Sequence, residues 1–109
     1  MKTTAELLKI YNYVGPFIDE LAQVNKDGKW FHIRPNGAPA YEQRYDYVGS
    51  FSEGLADARN GKEEFHIRPD GSPAYKQRYD GVGPFHNGQA LAHIKDNWFS
   101  INPDGTKVQ

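Results

Sequence analysis

Two histidines set 34 residues apart, His32 and His66, are the side chains best suited to chemistry in this sequence. Each stands two residues before an arginine, Arg34 and Arg68. Further on come Arg44-Tyr45-Asp46 and Arg78-Tyr79-Asp80, preceded by Tyr41 and Tyr75, again 34 residues apart. Neutral imidazoles on adjacent strands could meet at a divalent metal. However, Ser100 stands at the third position of the series, and neither cysteine nor a repeated carboxylate accompanies the histidines. The expectation is no metal and no cofactor, with histidines that lie on the surface or hydrogen-bond between repeats.

The arginines allow two readings. Arg44 and Arg78 with Asp46 and Asp80 could form a ladder of forked ion pairs that sets the register between units. Alternatively, His32, Arg34, Tyr41, Arg44 and Asp46, with their copies His66, Arg68, Tyr75, Arg78 and Asp80, could line a groove for a carbohydrate, an acidic peptide or another small ligand. The tyrosine rings would then stack on a sugar, unless they belong to the core. No catalytic residue is expected. No serine sits in a Gly-x-Ser-x-Gly elbow, and the neighbours Glu63 and Glu64 would face opposite ways on a strand. Without a nucleophile, base and orienting group, the chain reads as a non-enzyme.

These residues recur because the chain is a tandem repeat. Phe31-His32-Ile33-Arg34-Pro35 returns as Phe65-His66-Ile67-Arg68-Pro69, then as Phe99-Ser100-Ile101-Asn102-Pro103. Val14-Gly15-Pro16-Phe17, Val48-Gly49-Ser50-Phe51 and Val82-Gly83-Pro84-Phe85 keep the same spacing. One domain, residues 1–109, therefore divides into units 2–35, 36–69 and 70–103 with a tail 104–109. Tetratricopeptide repeats share this period but need two uninterrupted helices per unit. Glycine and proline punctuate every unit here, so the helical reading fails.

Alternation in Phe65-His66-Ile67-Arg68, and of Ala56 and Ala58 with their neighbours, predicts strands with one buried face. Asp27-Gly28 and Asn60-Gly61 predict type I′ hairpin turns. Pro35-Asn36-Gly37, Pro69-Asp70-Gly71 and Pro103-Asp104-Gly105 predict a second reversal. Pro39 to Arg44 and Ala74 to Tyr79 then read as a further strand, giving three or four short strands per unit. Residues 5–10 align with that strand yet contain good helix formers, with Thr3 or Thr4 as N-cap, so a strand and a short capping helix both stand. The fold class is all-β: antiparallel hairpins in a stacked solenoid or a partial propeller. Phe17, Phe31, Ile33, Phe51, Phe65, Ile67, Phe85, Phe99 and Ile101 should supply the core, with Ala56, Ala58, Ala90 and Ala92 where sheets approach.

Tyr45-Asp46-Tyr47-Val48-Gly49-Ser50-Phe51-Ser52-Glu53-Gly54-Leu55-Ala56, together with Asp27-Gly28-Lys29-Trp30, resembles the WG repeat, a bacterial repeat. The likeness covers residues 11 to about 105. Phe31 stands where that repeat usually has glycine, and Glu64 replaces its tryptophan in the second unit. The resemblance implies a β repeat module; it is uninformative about activity and brings no established catalytic or binding residues to carry over.

Thirteen basic against fourteen acidic residues leave a net charge of -1, which argues against a nucleic-acid partner. No apolar run reaches the roughly 20 residues of a membrane helix, so no membrane insertion is expected. Residues 1–10 lack the apolar core and cleavage site of a secretion signal, which makes a cytoplasmic location the default. The absence of cysteine excludes disulfides and thiolate chemistry. The expected role is a protein-interaction or scaffold module, with a glycan or small-ligand binder as the alternative. Open ends of the stack predict a homo-oligomer.

Overall fold

Short apolar-polar alternations flanked by turn residues form nine strands in the computed structural model, which describes residues 2–109. The first unit contains β1 (Tyr13–Val14), β2 (Ala22–Lys26) and β3 (Lys29–Ile33). The second contains β4 (Tyr47–Val48), β5 (Ala56–Asn60) and β6 (Glu63–Ile67), and the third β7 (Gly81–Val82), β8 (Ala90–Ile94) and β9 (Asn97–Ile101). Each set is an antiparallel three-stranded sheet in chain order. The registers agree across units: Val24 opposes Phe31, Ala58 opposes Phe65 and Ala92 opposes Phe99. The sheets do not close on one another. They line up in a body of 46 × 26 × 19 Å.

Neighbouring sheets are joined through the backbone. Trp30 and Tyr45 exchange both N–H···O bonds at 2.9 and 3.0 Å, and Glu64 and Tyr79 do the same at 2.8 and 3.0 Å. The side chains of Phe31, Ile33, Phe51, Phe65, Ile67, Phe85 and Ile101 fill the core with the four alanines, while Phe17 and Phe99 at the two ends are only partly buried. Tyr11, Tyr41, Tyr45, Tyr75 and Tyr79 join them, so these five tyrosines belong to the core.

Two expectations are corrected, and the choice left open at residues 5–10 is resolved. Pro39 to Arg44 and Ala74 to Tyr79 are loops with single bridges, not strands. Arg44 Nη1 gathers the carbonyls of Tyr41, Glu42 and Gln43 at 2.9–3.0 Å, and Arg78 does the same for Tyr75, Lys76 and Gln77. Successive carbonyls of a strand point opposite ways, so three that converge on one nitrogen preclude a ladder. Residues 4–7 form a helix, α1 (Thr4–Leu7), started by a capping box in which Thr3 Oγ1 accepts from the Glu6 amide and Glu6 Oε1 from the Thr3 amide.

The second correction concerns the hairpin tips. Asp27 and Gly28, at φ of 53° and 87°, make the expected two-residue turn between paired Lys26 and Lys29. In the second unit Asn60 still pairs with Glu63, so Gly61 and Lys62 make the turn. There only Gly61 has positive φ, 60°, the pattern of a type II′ turn. The two Asx-Gly pairs sit one residue apart in the repeat, and the strand register, fixed by the buried face, prevails over turn preference.

A further pair of positive φ recurs before the long hairpins, at Asp19-Glu20, Glu53-Gly54 and Asn87-Gly88. Only the first unit lacks glycine at its second position, and Glu20 is held at 66° there. Glu20→Gly should therefore raise stability by about 1 kcal/mol. Gly61→Val should lower it by about 1 kcal/mol or more. Urea midpoints of the two variants, moving in opposite directions from the parent, check both assignments.

Candidate functional site

The repeated polar residues converge on the two joints between units. His32 lies in β3 and His66 in β6, on the sheet face that the following unit covers, and both are fully buried. His32 Nδ1 lies 2.6 Å from the Tyr41 hydroxyl and Nε2 lies 2.8 Å from the Gly49 carbonyl of the next unit. His66 repeats this with Tyr75 at 2.6 Å and the Gly83 carbonyl at 2.8 Å. A carbonyl only accepts, so Nε2 carries the proton and Nδ1 accepts from the phenol. Burial lowers both imidazoles from the ordinary 6.5 to about 4, only partly offset by the carbonyl bond, and pushes both phenols up. Each histidine is a neutral, doubly bonded connector, ring against ring with Phe51 at 4.4 Å or Phe85 at 4.5 Å.

The other candidates serve the same joints or their rims. The guanidiniums of Arg44 and Arg78 lie 3.7 and 4.0 Å from the Phe31 and Phe65 ring centroids while holding their carbonyl triads. Asp46 Oδ2 accepts from the Gly61 amide at 2.7 Å, and Asp80 Oδ2 from the Lys95 amide at 2.6 Å, just as Asn12 accepts from Asp27. These side chains clamp the hairpin tips. Asp46 also pairs with Lys29 at 2.8 Å. Its carboxyl is held below the usual range first by the Gly61 amide and then by Lys29. The Arg–Asp ladder does not form: Lys29–Asp46 is the only ion pair among the described residues. Arg34 and Arg68 stay exposed, and Arg68 reaches only the Pro73 and Ala74 carbonyls. His32 and His66 are not brought together, and no group of three metal-ligating side chains occurs among the described residues.

Sequence reasoning missed the joint's other connectors. Gln23 spans the first joint: its Nε2 donates to the Val48 carbonyl at 2.8 Å and its Oε1 accepts from Ser50 at 2.9 Å. Glu53 spans the second, with its two oxygens on the Asn87 and Gly88 amides at 2.6 and 2.9 Å. A residue 34 positions from its partner is the signal that could have found Glu53.

An open cleft of about 680 Å³ crosses the first joint, with Gln23, Tyr47, Ser50, Ser52 and Asp57 among its lining residues. Burial raises the Asp57 carboxyl above its usual range, with Glu64 adding to the effect. Beside the cleft, Tyr13, Trp30 and Tyr47 form a row, with centroids 5.5 and 5.1 Å apart and rings tilted by 52° and 57°. No helix among the described residues is long and apolar enough to cross a membrane.

A family model described as WG containing repeat matches residues 7–30 and 33–63, just over half of the 109 residues. Neither the curated proteins nor the solved structures give a match. The match ends at residue 63, but β7–β9 repeat the sheet of β4–β6 strand for strand.

The buried imidazoles make stability depend on pH. The unfolded chain binds protons at these histidines near 6.5, the folded chain only near 4. Stability is therefore complete above pH 6.5 and falls as pH drops toward 4, by about 3 kcal/mol for each histidine. Urea midpoints should decline steadily across that window, and imidazole nitrogen spectra should show the Nε2–H form down to about pH 4.

Proposed function

The chain belongs to the WG containing repeat family, and from that premise we propose that it is a non-catalytic interaction or scaffold module. One observation carries this reading. Apart from exposed Arg34 and Arg68, the polar candidates that repeat with the period of the fold, His32 and His66, Tyr41 and Tyr75, Arg44 and Arg78, Asp46 and Asp80, are engaged in joining units or clamping turns. Groups held in this way hold the stack rigid and are not free to attack or protonate a substrate. A rigid rod with an outer surface of variable residues suits the presentation of partner-binding positions.

The row of Tyr13, Trp30 and Tyr47 beside Gln23, Ser50 and Asp57 favours a second reading, a carbohydrate- or small-ligand-binding domain. Aromatic faces next to amide, hydroxyl and carboxylate groups match the apolar and polar sides of a sugar ring. In this reading the binding edge moves from the histidines and arginines to the aromatic row.

A glycan array and a thermal-shift metabolite screen, run on the parent and on Trp30→Ala/Tyr47→Ala, separate the readings. The scaffold reading expects no saturable ligand, no turnover of chromogenic ester, phosphate or glycoside substrates, and cross-links to a protein partner on the outer surface. A saturable glycan lost in the double variant decides for the second reading.

A further inference from the structure

We propose that copies of this chain stack head to tail, the uncovered sheet face of the third unit receiving the leading edge of the first unit of another copy. Within the chain this contact is made twice. The face of one sheet is covered by the Val-Gly-x-Phe loop of the next unit, with His32 on Gly49 and Phe51, and His66 on Gly83 and Phe85. The third sheet presents the same face uncovered, with Leu91 56% and Trp98 63% exposed. The first unit presents the same loop, Val14-Gly15-Pro16-Phe17, with Phe17 only partly buried where Phe51 and Phe85 are fully packed.

The residues on these two surfaces depart from the internal pattern in matching ways. At the first joint the amide of Gln23 needs Ser50. At the proposed contact the equivalent positions are Leu91 and Pro16, both apolar. At both internal joints the histidine needs a tyrosine hydroxyl. In the third unit Ser100 replaces the histidine, and Gln109, nine residues on as Tyr41 is from His32, holds the tyrosine position, so the buried imidazole and its phenol are both absent from this face. Trp30 packs on Tyr47 at 5.1 Å at the first joint. Glu64 and Gly81 abolish that pair at the second joint, whereas Trp98 and Tyr13, which is 46% exposed, restore it between copies. Finally, the acidic tip Asp19-Glu20 would meet neutral Asn87 in place of Glu53. Three pairs of positions agree, Leu91 with Pro16, Trp98 with Tyr13 and Asn87 with Asp19-Glu20, and each is explained by contact between the two ends.

Room for the contact exists. The Val108 amide donates to the Ser100 carbonyl at 2.9 Å, as Ala40 donates to His32, so the C-terminal segment lies along its own sheet. The Lys2 amide donates to the Pro35 carbonyl at 3.1 Å, which draws the N-terminal segment back onto the first unit and away from that place. Only exposed Gln109 shares the repeat position of Leu7. A head-to-tail contact is heterologous and does not stop at two chains; it continues as a filament or, where its rotation closes, as a ring.

Light scattering coupled to size exclusion, from micromolar to millimolar chain, should give a mass that rises without a plateau at two chains. Leu91→Arg blocks the trailing face and Pro16→Arg the leading edge, both at exposed positions. Each variant alone should remain at the mass of one chain, and their mixture should form a species of two chains, because one parental contact survives between them. Trp98→Arg and Tyr13→Arg replace either variant if its circular dichroism departs from the parent's. A parent at one-chain mass throughout overturns the proposal. So does a Pro16→Arg chain that still pairs with itself, which would mean that two trailing faces meet.

Discussion

A polar ring with no solvent around it must find both of its hydrogen-bond partners in the protein, and the stack is arranged around that requirement at each joint. His32 can be satisfied only if Gly49 of the next unit brings its carbonyl to Nε2 and Tyr41 brings its hydroxyl to Nδ1. Leaving either nitrogen unmet costs about 1–3 kcal/mol, so the joint has one permitted geometry. Hydrophobic burial alone would allow sheets to slide. The imidazole fixes where they stop.

The joints are also linked to each other. The Tyr41 ring, whose hydroxyl serves His32, lies directly against Gly71, where any Cβ would run into it. The Gly71 carbonyl accepts from the Tyr45 hydroxyl, and Gly105 stands in the same relation to Tyr75 and Tyr79. A glycine at this turn thus supports both positive φ and close approach of a ring from the preceding joint. Coupling of this nearest-neighbour kind makes stability a sum of unit and joint contributions.

Much of this was readable from the residues. The period, the unit boundaries, the Pro-Asx-Gly reversals and the apolar side of each hairpin follow from patterns of 34 and of 2, which sequence displays directly. Misreadings came where one side chain overrides a local pattern. Arg44 looks like a strand residue between Gln43 and Tyr45, yet its guanidinium folds the backbone around itself. Asp46 looks like a partner for arginine, yet the nearest unmet donor is the amide of a hairpin tip 15 residues on. The candidate groove residues serve the stack for a related reason. Residues that recur in register are conserved between units by the needs of the joint, whereas Trp30, Tyr47 and Asp57, which line the open surface, do not recur in all three.

The clamped hairpin tips separate what fixes the strands from what connects them. Asn12, Asp46 and Asp80 hold three tips of different sequence, Asp27-Gly28, Gly61-Lys62 and Lys95-Asp96, above strands of identical register. A tip can therefore change without disturbing the scaffold below it. Short recognition peptides grafted at all three would be held in a fixed row along one rod. A partner with matching epitopes would then bind the second and third as intramolecular events, at an effective concentration set by the repeat spacing rather than by a flexible linker.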